Sequence, residues 1–279
     1  MGPDGGTESR QAPPRRPIGV VLTVLVAAGL LMIITVVAVV GVAVSSHHSG
    51  SAARPASHRS GDPLSADALI AGARPGTALA ALGQLAVREP VKTPPYSREV
   101  FGLGWTDLDR NGCETRSDIL RRDLTATTIK PDSGGCIVTS GDLNDPYTGR
   151  TIHFREGAAT LDVQIDHVVS LADAWQKGAQ QWTAAQRTAF VNDPVDLLAV
   201  DAAARLDKGD RDATAWLPPD AGYGCSYVAR QVAVKVKYRL WVSAPERAAI
   251  AHVLAKCAGQ PLPDAAPQPF GGAPVQPSA

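Results

Sequence analysis

The sequence predicts an α+β fold: one mostly helical domain, held outside a membrane and preceded by a single transmembrane helix. Three observations carry that expectation. Residues 18–44 are 27 consecutive positions without a charge, rich in Val, Leu, Ile and Ala. Beyond them, short strand-like words alternate with helices that open on capping boxes. All four cysteines, Cys113, Cys136, Cys225 and Cys257, also lie beyond them.

The apolar run would form ~40 Å of helix, more than the ~30 Å of bilayer hydrocarbon. Arg10, Arg15 and Arg16 precede it and Arg54 is the first Lys or Arg after it. The positive-inside rule therefore places residues 1–17 in the cytoplasm and the rest outside the membrane. A cleaved signal peptide, ending near Ala43-Val44-Ser45, is the alternative, but such peptides have apolar cores of only about 7–15 residues. Residues 45–62 are Ser-, His-, Gly- and Ala-rich and read as a flexible linker. Residues 259–279 contain six prolines and read as a disordered tail, leaving 63–258 as the domain. The 27 Lys+Arg against 27 Asp+Glu exclude a uniformly basic nucleic-acid coater, because such binding works by neutralising phosphates. An even cysteine count in an oxidising compartment predicts two disulfides. Pairing Cys113–Cys136 and Cys225–Cys257 is expected because each pair brackets a compact stretch. Zinc, the alternative, needs close ligand pairs that this spacing lacks.

Thr77 to Val87 has helical periodicity and ends before Pro90. Cys136–Ser140 and Arg150–Phe154 read as strands joined by the turn-rich word GDLNDPYTG. Leu161–Val168 alternates as a half-buried strand, and Val169–Gly178 turns helical. Thr183 with Gln186 forms a capping box for a helix that stops before Asn192-Asp193-Pro194. Leu197–Asp201 is a short strand and Ala202–Lys208 one or two helical turns. Tyr223–Val242 and Ser243–Cys257 form a helical hairpin, the second helix opening on a Ser243–Glu246 capping box, and their antiparallel packing brings Cys225 and Cys257 together. Trp175, Trp182, Trp216 and Trp241 are read as core residues, and His153 and His252 as structural.

Asp166-His167 stands out at the end of a strand. Histidine accepts protons near neutrality, and a carboxylate offers a hard oxygen to Mg²⁺. Adjacent strand residues face opposite ways, so the strand must end or bend there for both to reach one site. Around this pair run the words VQIDHVVSLADAWQKGAQQW, VNDPVDLLAVD and KGDRDATAWLPP, with GWTDLDRNGCETRSDILRRDL upstream and CSYVARQVAVKVKYRLWV downstream. Together they resemble the HNH-type endonucleases related to the C-terminal domain of the GmrSD restriction enzymes, over roughly residues 76–257.

The resemblance implies an HNH-like ββα-metal unit, a pair of strands and a helix clasping one divalent ion, Mg²⁺ or Mn²⁺, and nucleic acid as the substrate. It implies His167 as the general base, Asp166 as a metal ligand, and Lys208 and Arg187 as phosphate contacts or local ion-pair partners. Two positions depart from the family pattern. Asp196 stands where Asn is usual, keeping an acceptor but losing a donor. Arg205 stands where a second metal ligand, Asn or His, is usual, and a guanidinium has no lone pair to give. Asp207 or Asp201 would then be the replacement ligand, or Arg205 would fill the metal position and bind phosphate.

A second constellation is Asp107, Asp109, Asn111 and Asp118, spaced like an EF-hand loop with Gly112 sixth and Asp118 twelfth. It reads either as a Ca²⁺ site or as a turn anchored by Cys113. The expected function is metal-dependent phosphodiester hydrolysis outside the membrane. Its rivals are a nuclease-like module that binds polyanions without cutting, and a Ca²⁺-stabilised envelope module. No protein partner is legible.

Overall fold

The computed structural model describes residues 64–263, apart from 103 and 158–160. The chain there is a mixed α+β domain with two small antiparallel sheets. The anchor expected at residues 18–44, the linker at 45–62 and the tail from 264 onward lie outside the described residues. Among the described residues no helix is long and apolar enough to cross a membrane. The first tail residues, 259–263, are not detached: the Gln260 carbonyl accepts from Ala78 N–H at 2.9 Å.

Two short helices open the domain, α1 (Ala66–Ala71) and α2 (Ala78–Leu82), each capped by a hydroxyl, from Ser65 and Thr77. The second is shorter than the periodicity of Thr77–Val87 predicts, because Gly83 ends it. A 3₁₀ turn at Arg98–Phe101 follows, and then α3 (Thr115–Asp123). Strand β1 (Leu124–Ile129) pairs with β2 (Val138–Asn144), which pairs with β3 (Thr151–Arg155). The strands expected at 136–140 and 150–154 are thus present, although β2 runs four residues further, into the word read as a turn.

The second sheet joins β4 (Val163–His167) to β5 (Leu197–Asp201). Between them the chain builds α4 (Leu171–Gln176), a 3₁₀ turn at Ala179–Gln181 and α5 (Ala184–Val191). Both halves of the Thr183–Gln186 capping box form. Helix α6 (Ala202–Lys208) follows β5 without a linker, because the Asp201 carboxylate accepts from Ala204 N–H at 2.8 Å. Gly209, at φ 54°, closes α6 in a conformation that disfavours a side chain. Two antiparallel strands followed at once by a helix are therefore the local frame of the Asp166-His167 pair.

Helices α7 (Gly224–Tyr238) and α8 (Ala244–Ala255) complete the chain, the second opening on the Ser243–Glu246 box. The hairpin is shorter than expected because Arg239 turns left-handed at φ 53°. Both expected disulfides form, Cys113–Cys136 and Cys225–Cys257. Leu79, Leu82, Val228, Val232, Ile250 and Leu254 pack α2, α7 and α8 into one apolar cluster. Phe101, Trp175, Phe190 and Leu240 form another, while Ile119, Leu143, Phe154, Ile165 and Leu197 join α3 to both sheets. Trp175, Trp216 and Trp241 are buried and Trp182 half-buried. His153 and His252 are exposed, bonded to Asp142 and to the Leu64 carbonyl.

Candidate functional site

Asp166 and His167 are the last two residues of β4, opposite Leu198 and Leu197 of β5. The strand ends because Asp196 takes over the next two amides: its carbonyl accepts from Val168 N–H and its Oδ1 from Val169 N–H, each at 2.8 Å. That turn lets both neighbours line one cavity of about 140 Å³, with Tyr96, Arg98, Ser170, Leu171, Arg205 and Asp210 among its walls.

The His167 ring is fixed on several sides. Its Nε2 lies 2.9 Å from the Val191 carbonyl, which can only accept, so Nε2 carries the proton and Nδ1 the basic lone pair. Trp105 stacks on the ring at 5.9 Å between centroids and Phe190 at 6.3 Å. Burial pushes its pKa down to about 3, assisted by Lys208, Arg98 and Arg205 and opposed by the bond to Val191. The imidazole is therefore neutral across the physiological range.

Asp166 is enclosed as tightly. Tyr147 Oη donates to its Oδ2 at 2.7 Å, Lys208 Nζ lies 3.0 Å from Oδ2, and Arg205 Nε lies 3.8 Å from Oδ1. Lys208 is fully buried and donates also to the His167 carbonyl at 2.8 Å, so its ammonium faces neither solvent nor a ligand. Arg205 Nε donates to the Ile165 carbonyl at 3.2 Å while the side chain stays 39% exposed.

The remaining sequence candidates fall elsewhere. Asp207 bonds Arg211 and the Trp216 indole N–H and does not line the cavity. Asp201 caps α6 and pairs with Arg150. Arg187 donates to the Val100 and Trp182 carbonyls and lies over Trp175, tying the 3₁₀ turn to α5. Asp210, which the sequence reading did not single out, reaches the cavity wall instead.

Asp196 is fully buried, and its Oδ2 has no hydrogen-bond partner among the described residues. Burial raises its pKa well above the ordinary carboxylate value, reinforced by Asp193 and opposed by the Val169 bond and Lys208. In its protonated form the carboxyl would carry an O–H donor.

These groups decide whether a divalent ion fits. Mg²⁺ or Mn²⁺ calls for several free oxygen donors. Asp166 already faces two cations, Lys208 and Arg205, the latter at the position where the resemblance implies a second metal ligand. The donor set around Asp166 does not fit a divalent ion held by two protein ligands. A separate trio of carboxylates, Asp173, Asp212 and Glu246, brings ligand atoms within 4.8 Å of one another. Lys177 Nζ sits among them, 2.7 Å from Asp212 and 2.7 Å from Glu246 and bonded to Asp173, while Lys235 bridges Asp173 and Glu246. Ammonium groups fill the place a metal would take. Against the cost of burial, Asp173 and Glu246 hold the Lys177 pKa above the ordinary lysine value.

The Asp107–Asp118 loop is closed by its own bonds. Asp107 accepts from the Asn111 and Gly112 amides, and Asn111 Nδ2 bridges Asp109 and Asp118 at 3.1 Å each. Burial raises the Asp118 pKa, opposed by the Asn111 bond. Cys113 then ties the loop to Cys136.

Residues 114–253 match the family described as GmrSD restriction endonucleases, C-terminal domain. A protein of Arthroderma benhamiae described as an uncharacterized secreted protein is 38% identical over 183 residues, 65% of this chain and 85% of that protein. No solved structure matches.

Proposed function

The chain belongs to the family of GmrSD restriction endonuclease C-terminal domains, and from that premise we propose that its pocket takes a phosphodiester of nucleic acid outside the cell and hydrolyses it. The observation that carries this reading is the neutral His167, its tautomer set by the Val191 carbonyl, lining one cavity with Arg98 and Arg205. A water held against Nδ1 gives its proton to the ring as its oxygen bonds to phosphorus. The opposite P–O bond breaks, and the leaving oxygen takes a proton from solvent. The guanidinium groups neutralise the charge that gathers on the non-bridging oxygens, and a preformed cation of this kind needs little reorganisation. Nothing in this sequence of steps passes through a metal, in keeping with the donor set.

The extracellular setting rests on the secreted relative and on the charge asymmetry around residues 18–44, which would anchor the chain or direct its export. The low basicity of His167 favours a second reading, a module that grips nucleic acid and cuts it slowly or not at all. Nicking of supercoiled plasmid and cleavage of RNA by the purified full chain test the proposal. Replacing His167 by Ala is expected to lower the rate about 10²–10⁴-fold. Cleavage at an undiminished rate by that variant removes His167 as base, and tight binding without cleavage by the native chain favours the second reading.

A further inference from the structure

We propose that Arg205 is the resident cation of this pocket and binds the phosphodiester oxygens directly, so that nucleic acid is held without a divalent metal. The inference rests on the phosphodiester reading above and adds what does the gripping. Three observations lead to it.

The first is position. Arg205 projects from α6, and its Nε is pinned by the Ile165 carbonyl at 3.2 Å, one residue before Asp166. That puts the guanidinium 3.8 Å from Asp166 Oδ1, within the reach of the carboxylate that would have to face a metal. The second is valence. Among the described residues only Nε of this side chain is hydrogen-bonded, and the side chain is 39% exposed on the cavity wall. The two terminal nitrogens are left to donate as a fork, the geometry that matches two oxygens of one phosphate.

The third is charge. Asp166 is already compensated by the buried Lys208 ammonium, 3.0 Å away. Arg98 and Asp210, opposite in formal charge, both line the same cavity. Arg205, partly exposed on the cavity wall, is left as the surplus positive charge. A dication entering beside Asp166 would meet a carboxylate already engaged by the Lys208 ammonium at 3.0 Å and the Arg205 guanidinium at 3.8 Å. An anion entering the same space finds the charge it needs.

The test is fluorescence anisotropy of a labelled single-stranded oligonucleotide with the full chain in detergent, in excess EDTA and again with Mn²⁺. Binding by the native chain is expected to agree within about twofold in the two buffers, since no metal enters the grip. Arg205→Asn is expected to lose about tenfold or more in EDTA, the weight of a charge-assisted bond, and to recover part of it with Mn²⁺. Arg205→Lys, which keeps the charge and loses the fork, should fall between them, and circular dichroism checks that each variant is folded. Calorimetric titration with Mn²⁺ alone should show no uptake near Asp166 in the native chain and one ion in Arg205→Asn. Native binding that collapses in EDTA, or an Arg205→Asn variant that binds as well as the native chain in EDTA, overturns the role of Arg205 and leaves the phosphodiester reading standing. Absence of oligonucleotide binding by the native chain in both buffers overturns both. Competition by inorganic phosphate at equal concentration would show that the pocket takes free phosphate rather than a nucleic-acid backbone, and would likewise overturn the proposal.

Discussion

Replacing Asp196 by Asn should change the pH dependence of stability more than stability at any one pH. Asp196 is buried and its pKa is raised above the ordinary 3.8. Above that value the unfolded chain gives up the proton and the folded chain keeps it. Folding stability is then lost as pH rises, by about 1.4 kcal/mol per unit, until the folded carboxyl itself ionises. His167 has the opposite sign. Its pKa falls from 6.5 to about 3 on folding, so the unfolded chain binds the extra proton and stability is lost as pH falls through that window. Where both groups bind protons differently in the folded and unfolded chains the two slopes oppose each other. In Asp196→Asn the Asp196 slope is removed and the histidine slope remains. Relative to the native chain the variant should gain stability between about pH 4 and about pH 6, at up to about 1.4 kcal/mol per unit, less any constant cost of a buried amide N–H. Urea denaturation of both proteins at the two pH values reads this directly. A difference that stays constant with pH would mean that Asp196 is ionised in the folded protein, and the charge count around Arg205 would then be wrong by one.

Two further perturbations address the frame that holds the pocket. Lys177→Met leaves Asp173, Asp212 and Glu246 close together with Lys235 alone to balance them, and should cost about 3–5 kcal/mol by chemical denaturation; a loss under about 1 kcal/mol would mean the carboxylates take up protons and relax without it. Replacing Cys225 and Cys257 by Ala opens a loop with a sequence separation of 32 and should lower stability by about 3–4 kcal/mol, with little effect on oligonucleotide binding because α7 and α8 line no part of the Asp166–His167 cavity.

What the sequence revealed and what it hid divides along the range of the interactions. The capping boxes at Thr183 and Ser243, the Asp201 strand end and the start of α6 depend on neighbours within a few residues, so a local pattern contains them. The pairing of Cys225 with Cys257 followed from packing two adjacent helices. Strand β1 was missed because its exposed Thr-rich word LTATTI has no apolar alternation; it exists through pairing with β2. Trp105 against His167, Tyr147 on Asp166 and Lys177 among three carboxylates join residues far apart in the chain. Tyr147 sits in a DPYTG word that reads as a turn, and nothing in its neighbourhood says that its hydroxyl ends on a carboxylate. Lys208 and Arg187 were expected from the resemblance as phosphate contacts or local ion-pair partners; Lys208 is buried and pairs with Asp166, while the two carbonyl partners of Arg187 are facts of packing alone.

The two departures from the family pattern are better understood together than singly. Read as formal charges, Asp at 196 and Arg at 205 would cancel, and the pocket would keep the balance it has with neutral residues at both positions. Burial breaks that symmetry. Asp196 is fully buried, which pushes its carboxyl toward the protonated form while its Oδ1 holds the Val169 amide. Arg205 is partly in solvent and keeps its charge, as a guanidinium does throughout the accessible pH range. Arg205 therefore puts a positive charge beside Asp166 and offers no lone pair there. Both changes work against a bound dication and in favour of a bound anion. On the proposal made above, such a site keeps the positioned imidazole and grips phosphate with a cation encoded in the chain.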